Sequence, residues 1–417
     1  MRMHRFIFAA ALVAFLASNF PLGKLGVYAR FPMIILLIAS CVIVVSRTRI
    51  GKFAPLFATI YLFLTYSFVT TYWTENVGLS LAKWLLYTTV ALAFLYGGAA
   101  AGQNSSPDCN PFEPLKWLFI PMMISSLIAL FQGSGWAEGN FRGMCGNSNS
   151  LGASIMLTSP WLIYELRRKW GNRRIRRWLV VLAGLTVIIM LATHSRAALC
   201  SFLILPVFSA KQLNPGRKAV LAYIFLMVLI VTYALRPGTY DFIYHSFVEK
   251  RSENIMASRG IQMEDSWEAA KQGGIFGEGF GVSVGLSRYW DLGTFSRISR
   301  EKGNSMLAIV EETGVVGLGF YSAVLCALFL TLRRFSRTAD PDQKFIANIA
   351  MGYFVAALVH GQFEAWFLSF GPDVSVYWGV IGMALGGMTR KTGYERNTRM
   401  EAASRSRVFA STTVARG

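Results

Sequence analysis

A histidine and a glutamate late in the sequence have the spacing of a proton-transfer pair. His360 and Glu364 are four residues apart, which places them on one face of a helix. A carboxylate or an imidazole at an enclosed site can take the proton of a reacting hydroxyl group. A hydrogen-bonded pair that only closes a helix end has the same spacing. The pattern therefore predicts either a general base or a structural contact.

An arginine between two apolar segments is a candidate for binding an anion. Arg196 ends the short sequence THSR, which joins the two segments with almost no loop between them. At the centre of a membrane helix an arginine costs on the order of 2.5–3.5 kcal/mol, so it needs a partner or water. Its planar guanidinium matches the geometry of a phosphate group. Snorkelling of the side chain to the membrane surface is the alternative.

The sequence FRGMCGNSNSLG, residues 141–152, is rich in turn-forming and hydrogen-bonding residues. Its glycines permit tight turns, and Arg142, Asn147 and Asn149 offer donors for phosphate or sugar oxygens. A turn in which Asn149 or Ser150 caps the next helix is the structural alternative.

Composition indicates that membrane helices must position these residues. Of the 417 residues, 54% are hydrophobic and only 15% are charged, whereas a soluble domain carries about 25% charged residues. Twelve apolar segments approach the roughly 20 residues that cross a bilayer. They cover residues 5–22, 31–46, 53–73, 81–101, 115–132, 149–165, 178–193, 197–211, 219–235, 304–332, 345–363 and 374–389. We therefore expect an all-α, polytopic integral membrane protein with about twelve transmembrane helices, in a membrane domain of residues 1–390.

The distribution of basic residues predicts the orientation. Loops after even-numbered segments hold most of the lysines and arginines, and residues 165–177 alone contain seven of them against one glutamate. Positive charge is typical of cytoplasmic loops, so both termini are expected in the cytoplasm. The basic tail, residues 391–417, is expected to be disordered there. Topology and anionic headgroups then explain the net charge of +19 without nucleic acid.

The long loop at residues 236–303 balances nine basic against nine acidic residues, so it is expected on the periplasmic side. Residues 259–271 have helical spacing, with Ile261, Trp267 and Ala270 predicted on or near the membrane side. A glycine-rich turn at 277–281 and three arginines, Arg288, Arg297 and Arg300, follow. We expect a partly helical cap over a polar cavity. A purely structural cap is the alternative.

Two further observations limit the chemistry. Glu311 and Glu312 are adjacent inside an apolar stretch, where carboxylates are costly unless they pair or line a cavity. The five cysteines are scattered, and the sequence contains no HExxH, Walker A or CxxC motif. We therefore expect neither a metal ion nor a cofactor.

Four segments together resemble a known family. In order, they are FRGMCGNSNSLG, THSRAAL, SRG…W…GEGFG and GNSMLAIVEETGVVGL. Their order over roughly residues 140–320, with the helix number and the position of the long loop, resembles the bacterial O-antigen ligase and O-antigen polymerase superfamily, which includes exopolysaccharide polymerases.

The resemblance implies a metal-independent glycosyltransferase of the bacterial cytoplasmic (inner) membrane. Its donor would be a glycan on undecaprenyl diphosphate, and its acceptor another glycan or lipid A-core, in contact with membrane lipids. By position, Arg196 matches the arginine of the family's Ser-Arg motif, and Arg259 matches the arginine that opens the loop helix. Both would bind or stabilise the diphosphate leaving group.

One position departs from the family pattern. Where the family usually has a histidine before the re-entering helix, this chain has Gly303. Local candidates for the missing group are His194, His245, His360, Glu301 and Glu364. We favour Glu364 with His360 as the catalytic pair, together with Arg196 and Arg259.

The remaining predicted site residues have polar or aromatic side chains suited to substrate binding. They are Arg142, Asn147, Asn149, His194, Arg288, Arg300, Asn304 and Trp267. Polymerisation is preferred over ligation to lipid A-core, partly because Glu-x-Trp in the penultimate segment is closer to the exopolysaccharide polymerase branch. The same features leave open a lipid-glycan transporter or flippase, and a catalytically dead member of the superfamily.

Overall fold

The computed structural model describes residues 2–17, 23–45, 50–105, 109–137, 140–210, 257–282, 302–338 and 340–390. These residues are mostly helical, with one short antiparallel strand pair, β1 (Trp136–Ala137) and β2 (Asn140–Phe141). The first helices are α1 (Arg2–Leu16), α2 (Gly23–Val45), α3 (Ala54–Thr70), α4 (Val77–Gln103) and α5 (Lys116–Phe131). Next come α6 (Ser148–Thr158), α7 (Pro160–Arg168), α8 (Arg173–Ala192) and α9 (Arg196–Ala210). The last are α10 (Ala257–Gly273), α11 (Ser305–Phe335), α12 (Pro341–Gly361) and α13 (Pro372–Thr389).

Apolar helices make this an all-α protein with the features of a membrane protein. Among the described residues, six stretches are long and apolar enough to cross a bilayer: α4, α8, α11, α12, and α3 and α5 with their preceding 3-10 turns. A helix lies in each predicted apolar segment that the structure describes. The segment 219–235, most of the long loop and the tail 391–417 lie outside the described residues.

The predicted segment 149–165 is two helices rather than one. It divides at Ser159, where α6 ends and Pro160 begins α7. Proline has no N–H to continue the helical hydrogen bonding, and it is well suited to the first turn of a new helix. The division keeps α6 a short helix of 11 residues.

Glycines allow α4 and α13 to pack with their backbones in contact. The pairs Gly98 and Gly102 on α4 and Gly382 and Gly386 on α13 each have the spacing small-xxx-small. A Cβ atom at Gly98 would overlap a backbone oxygen of α13, and one at Gly386 would overlap a backbone oxygen of α4. Small residues at this spacing are typical of close helix pairs in membranes. The two helices run parallel and begin at the same end of the bundle.

Helix α11 is interrupted close to that end. Gly314 has φ 70° and ψ −177°, which breaks the helical hydrogen bonding. Residues 274–282, which we name the glycine loop, fill the gap. The N–H groups of Glu278 and Gly279 donate to carbonyl groups before the break, at 2.9 and 3.1 Å. The carbonyl groups of Gly274 and Ile275 accept N–H groups after it, at 3.1 and 3.2 Å.

A buried arginine ties several elements together at the opposite end of the bundle. The guanidinium of Arg390 pairs with Asp342, the residue after the first position of α12. It also donates to the Tyr164 hydroxyl of α7 at 3.0 Å and to the carbonyl of Cys109 at 2.7 Å. A charge removed from water needs such partners. The network fixes the end of α13 against α7 and α12.

Candidate active site

A cavity of about 590 Å³ lies at the end of the bundle where α4, α6, α11 and α13 begin. The glycine loop and residues 362–371 complete its wall. Its polar lining residues are Lys83, Asn147, Asn149, Ser150, Lys302, Ser305, Glu312, His360, Glu364, Ser369 and Asp373. Clefts of this size with a few convergent polar groups are typical of ligand sites.

Glu364 is held in this cavity by neighbours from two other elements. Its Oε1 accepts a hydrogen bond from the Asn149 side chain at 3.2 Å. Ser305, the first residue of α11, donates to the Glu364 carbonyl at 2.7 Å, and its hydroxyl accepts the N–H of Trp366 at 3.1 Å. The carboxylate therefore faces the cavity from a backbone that is fixed on both sides.

His360 lies beside Glu364 at the end of α12 and is buried. Its Nδ1 accepts a hydrogen bond from the indole N–H of Trp366 at 2.9 Å. An Nδ1 that accepts is unprotonated, which fixes the proton of a neutral ring on Nε2. The predicted pair is thus brought to one wall of the cavity. Glu364 lies beyond the last helical residue, so a turn and not a helix face brings the two together.

A lysine and two glutamates form a buried charge cluster at the cavity. The Lys302 Nζ lies 2.6 Å from Glu312 Oε1 and 3.2 Å from Glu311 Oε2. The other oxygen of Glu312 accepts the N–H of Gly281 at 2.8 Å. Burial by itself would lower the pKa of Lys302, but the Glu312 and Glu311 carboxylates outweigh burial and raise it. The expectation that the adjacent glutamates pair or line a cavity is confirmed.

Lys83 brings a second cation to the cavity. It lies on α4, and its Nζ donates to the carbonyl of Gly281 at 2.5 Å. The neighbouring Phe280 is held by Thr70 of α3 and Ser80 of α4, through its N–H at 3.2 Å and its carbonyl at 2.6 Å. The glycine loop is thereby fixed between α3, α4 and the break in α11.

Four of the predicted site residues line this cavity: Asn147, Asn149, His360 and Glu364. Helix α6 is capped by Asn147, whose side chain accepts the N–H of Ser150 at 2.6 Å. The alternative in which Asn149 or Ser150 is the cap is therefore wrong. Because Asn147 caps the helix, the Asn149 side chain can donate its hydrogen bond to Glu364.

The predicted residues of the THSR segment lie next to the cavity rather than in its lining. His194 has a left-handed backbone with φ 52°, uncommon for a residue other than glycine, and its Nδ1 lies 3.1 Å from Asn140 Oδ1. Arg196 is the first residue of α9 and is partly buried. The α9 helix meets α6 at Gly152, where a Cβ atom would lie 2.8 Å from that of Ala198. Arg142 is exposed in the turn after β2.

Asn304 and Trp267 line a separate groove beside α10. The Asn304 Oδ1 caps α11, accepting N–H groups at 2.7 and 3.1 Å, and its amide donates to the Gln362 carbonyl at 3.1 Å. Trp267 is half-exposed, whereas Ala270 on the same helix is buried against other elements. Helix α10 packs its Ala270 side against the body of the protein, and the predicted membrane side of this helix stays a prediction.

Several predicted residues cannot be placed in this site. Arg288 and Arg300 lie outside the described residues, as do His245 and Glu301. Arg259 lies in α10, as the helical spacing predicts, but its side chain is outside the described part of the structure.

Three charged cavity residues have no place in the sequence prediction of the site: Lys83, Lys302 and Asp373. A signal was present for Lys83, because it is a lone cation in the apolar segment 81–101, and ionisable residues within such segments are usually functional or paired. Lys302 and Asp373 are adjacent to apolar segments, where charged residues are common. Nothing in their spacing separates them from ordinary flanking charges.

Comparison with models of known protein families and with curated proteins gives no match to this chain. The chemistry of the site is therefore inferred from its own residues.

Proposed function

We propose that the chain is a membrane glycosyltransferase that polymerises oligosaccharides carried on undecaprenyl diphosphate, at the periplasmic face of a bacterial inner membrane. The observation that carries the proposal is convergence on one cavity. Three of the four segments that resemble the polymerase superfamily contribute lining residues, among them Asn149, Gly281 and Glu312. The fourth, around Ser195, packs against Gly152 directly beneath.

In this proposal Glu364 is the general base, with His360 beside it. The acceptor hydroxyl gives its proton to the Glu364 carboxylate as its oxygen bonds to the anomeric carbon of the donor sugar. The bond from that carbon to the diphosphate breaks, and undecaprenyl diphosphate leaves with the electron pair. Asn149 would orient the carboxylate through the observed hydrogen bond.

The leaving diphosphate requires positive charge that preorganised side chains can supply. The described lining residues include two cations, Lys83 and Lys302, and three acidic residues, Glu312, Glu364 and Asp373. Because Lys302 already pairs with Glu311 and Glu312, Lys83 is the lining lysine better placed to bind the diphosphate. The proposal therefore assigns further charge to Arg196 and Arg259, which the family resemblance implies at these positions.

The test is the glycan profile of a strain that lacks this gene, complemented with variants. We expect single repeat units on the lipid carrier and loss of long chains. The wild type should restore long chains, and Glu364→Gln should not. The matched control is Glu268→Gln, since Glu268 is half-exposed on α10 and outside the cavity. Long chains that accumulate on the carrier would instead indicate a ligase, and normal glycans with Glu364→Gln would contradict the assigned base.

A second candidate, a lipid-glycan transporter, is favoured by the break in α11 at Gly314. Interrupted membrane helices line the substrate sites of many transporters. The two candidates differ in the covalent product, because only the transferase forms a glycosidic bond and releases undecaprenyl diphosphate.

A further inference from the structure

A small apolar groove adjoins the candidate active site on its membrane side. It has a volume of about 120 Å³ and lies between α4 and the facing parts of α1 and α2. Helices α1 and α2 contribute Phe15, Arg30 and Ile34, and α4 contributes Leu86, Thr89 and Val90. We name it the lateral groove.

The lateral groove shares part of its lining with the cavity. Leu86 and Phe370 line both spaces. Lys83 lies three residues before Leu86 on α4, so the two side chains are on the same helix face. Lys83 and the groove residues of α4 therefore lie along one side of that helix, so a phosphate head at Lys83 and a hydrocarbon tail in the groove can belong to one ligand.

The outer side of the groove is open. Leu85 and Phe31, which also line it, are about half exposed. Both belong to apolar helices, so the side chains face bilayer lipid in the membrane setting. A long hydrocarbon chain can leave the groove in that direction.

A single cation stands at this groove among its described lining residues. Arg30 is partly buried, and its guanidinium lies 5.2 Å from the centre of the Phe31 ring. Within the described ranges, no carboxylate forms an ion pair with it. A guanidinium beside an apolar groove, with Lys83 one helix away, complements a ligand that has a phosphate head and a hydrocarbon tail.

We propose that the lateral groove holds the first part of the polyprenyl chain of the lipid diphosphate, and that Arg30 binds its phosphate groups from the membrane side. This inference rests on the proposed function for the identity of the lipid. It places the diphosphate between Arg30 and Lys83 and directs the glycan into the cavity.

Equilibrium binding of labelled undecaprenyl diphosphate to the purified full chain in detergent micelles tests this. Arg30→Ala should weaken binding at least about tenfold, because it removes charge-assisted hydrogen bonds to the phosphates, and Arg30→Lys should weaken it less. Thr89→Trp should weaken binding by filling the groove. The control is Ile35→Trp on α2, whose side chain is exposed and outside the groove, and it should bind as the wild type does.

Wild-type affinity in both Arg30→Ala and Thr89→Trp would overturn the groove assignment and leave the proposed function standing. Displacement of the ligand by an equal concentration of phosphatidylglycerol would also overturn it, since the groove would then be a general site for anionic lipid. If the wild type does not bind labelled undecaprenyl diphosphate, the proposed identity of the donor is wrong. Unfolding temperatures of the variants show whether each is folded. If Thr89→Trp does not fold, the binding affinity of Arg30→Ala alone decides the groove assignment.

Discussion

At the scale of single residues, the cavity combines a fixed carboxylate with a buried cluster of opposite charges. Glu364 is oriented by Asn149, and Lys302 pairs with both Glu311 and Glu312. The cluster has one cation for two carboxylates, so its charges hold the wall together and do not offer a free cation to an anionic ligand. Glu364 is oriented by a neutral amide and lines the cavity, so it is the better candidate for proton transfer.

The charge cluster makes a quantitative prediction. Lys302→Met leaves two buried carboxylates without their cation and should lower the free energy of unfolding by about 3–5 kcal/mol. Denaturant unfolding in detergent micelles measures the change. Lys271→Met is the control, because Lys271 forms a 2.7 Å pair with Glu268 in which both side chains are more than half exposed, and such pairs contribute only about 0–1 kcal/mol.

Combining Lys302→Met with Glu311→Gln and Glu312→Gln should recover part of the loss, since no charge of the cluster then remains unpaired. Equal unfolding energies for Lys302→Met and Lys271→Met would show that the cluster is not what stabilises this wall.

Sequence spacing predicted part of the residue-scale picture. It identified His360, Glu364 and Asn149 as candidate site residues, because polar side chains at the ends of apolar segments are few and easy to recognise. It could not identify Lys302 as the partner of Glu312, because a contact across a ten-residue separation depends on the entry angle of α11. That angle is set by the Asn304 cap and by Ser266, which accepts the N–H of Gly303 at 3.1 Å.

At the scale of elements, the break in α11 determines where the glycine loop lies. The broken helix and the loop exchange backbone hydrogen bonds, so neither is satisfied without the other. The sequence predicted a glycine-rich turn at 277–281, and left-handed conformations at Gly277, Gly279 and Gly281 confirm it. It gave no sign of the break, because glycine also occurs within ordinary membrane helices.

Because of the break, alanine substitutions at two glycines of α11 should change the stability of the protein in opposite directions. Gly314→Ala places a Cβ atom against the Ile275 carbonyl oxygen in a left-handed conformation, and should destabilise the protein by at least about 1–2 kcal/mol. Gly319→Ala meets nothing within 4 Å and should stabilise by up to about 1 kcal/mol. Thermal unfolding of both variants measures the difference. Two shifts of the same sign and size would contradict the account of the break.

The α4–α13 pair gives a second element-scale prediction. Gly98→Leu drives a side chain into the backbone of α13 and should cost at least about 1–3 kcal/mol through overpacking. Gly184→Leu on α8 meets nothing within 4 Å and is the control, with little change expected. Denaturant unfolding in detergent micelles measures the change in stability of both variants. A neutral Gly98→Leu would mean that the close approach of the two helices is not required.

At the scale of the whole molecule, an all-α bundle places one polar cavity at one end and a buried arginine network at the other. Hydropathy was sufficient to predict the apolar helices that the structure describes, because a bilayer demands long apolar segments whose backbone groups are satisfied internally. It was not sufficient to predict which helices enclose the cavity. That depends on contacts between helices, such as the α4–α13 glycine contact, which brings the first turns of both helices, with Lys83 and Asp373, to the same cavity.

Purified protein in vesicles, supplied with a labelled undecaprenyl diphosphate-linked oligosaccharide, tests the proposed polymerase activity. We expect products that contain multiples of the oligosaccharide, with one undecaprenyl diphosphate released for each new bond, and neither product with Glu364→Gln. Movement of the labelled lipid across the bilayer with no new glycosidic bond and no released carrier would contradict the proposed activity and favour a transporter.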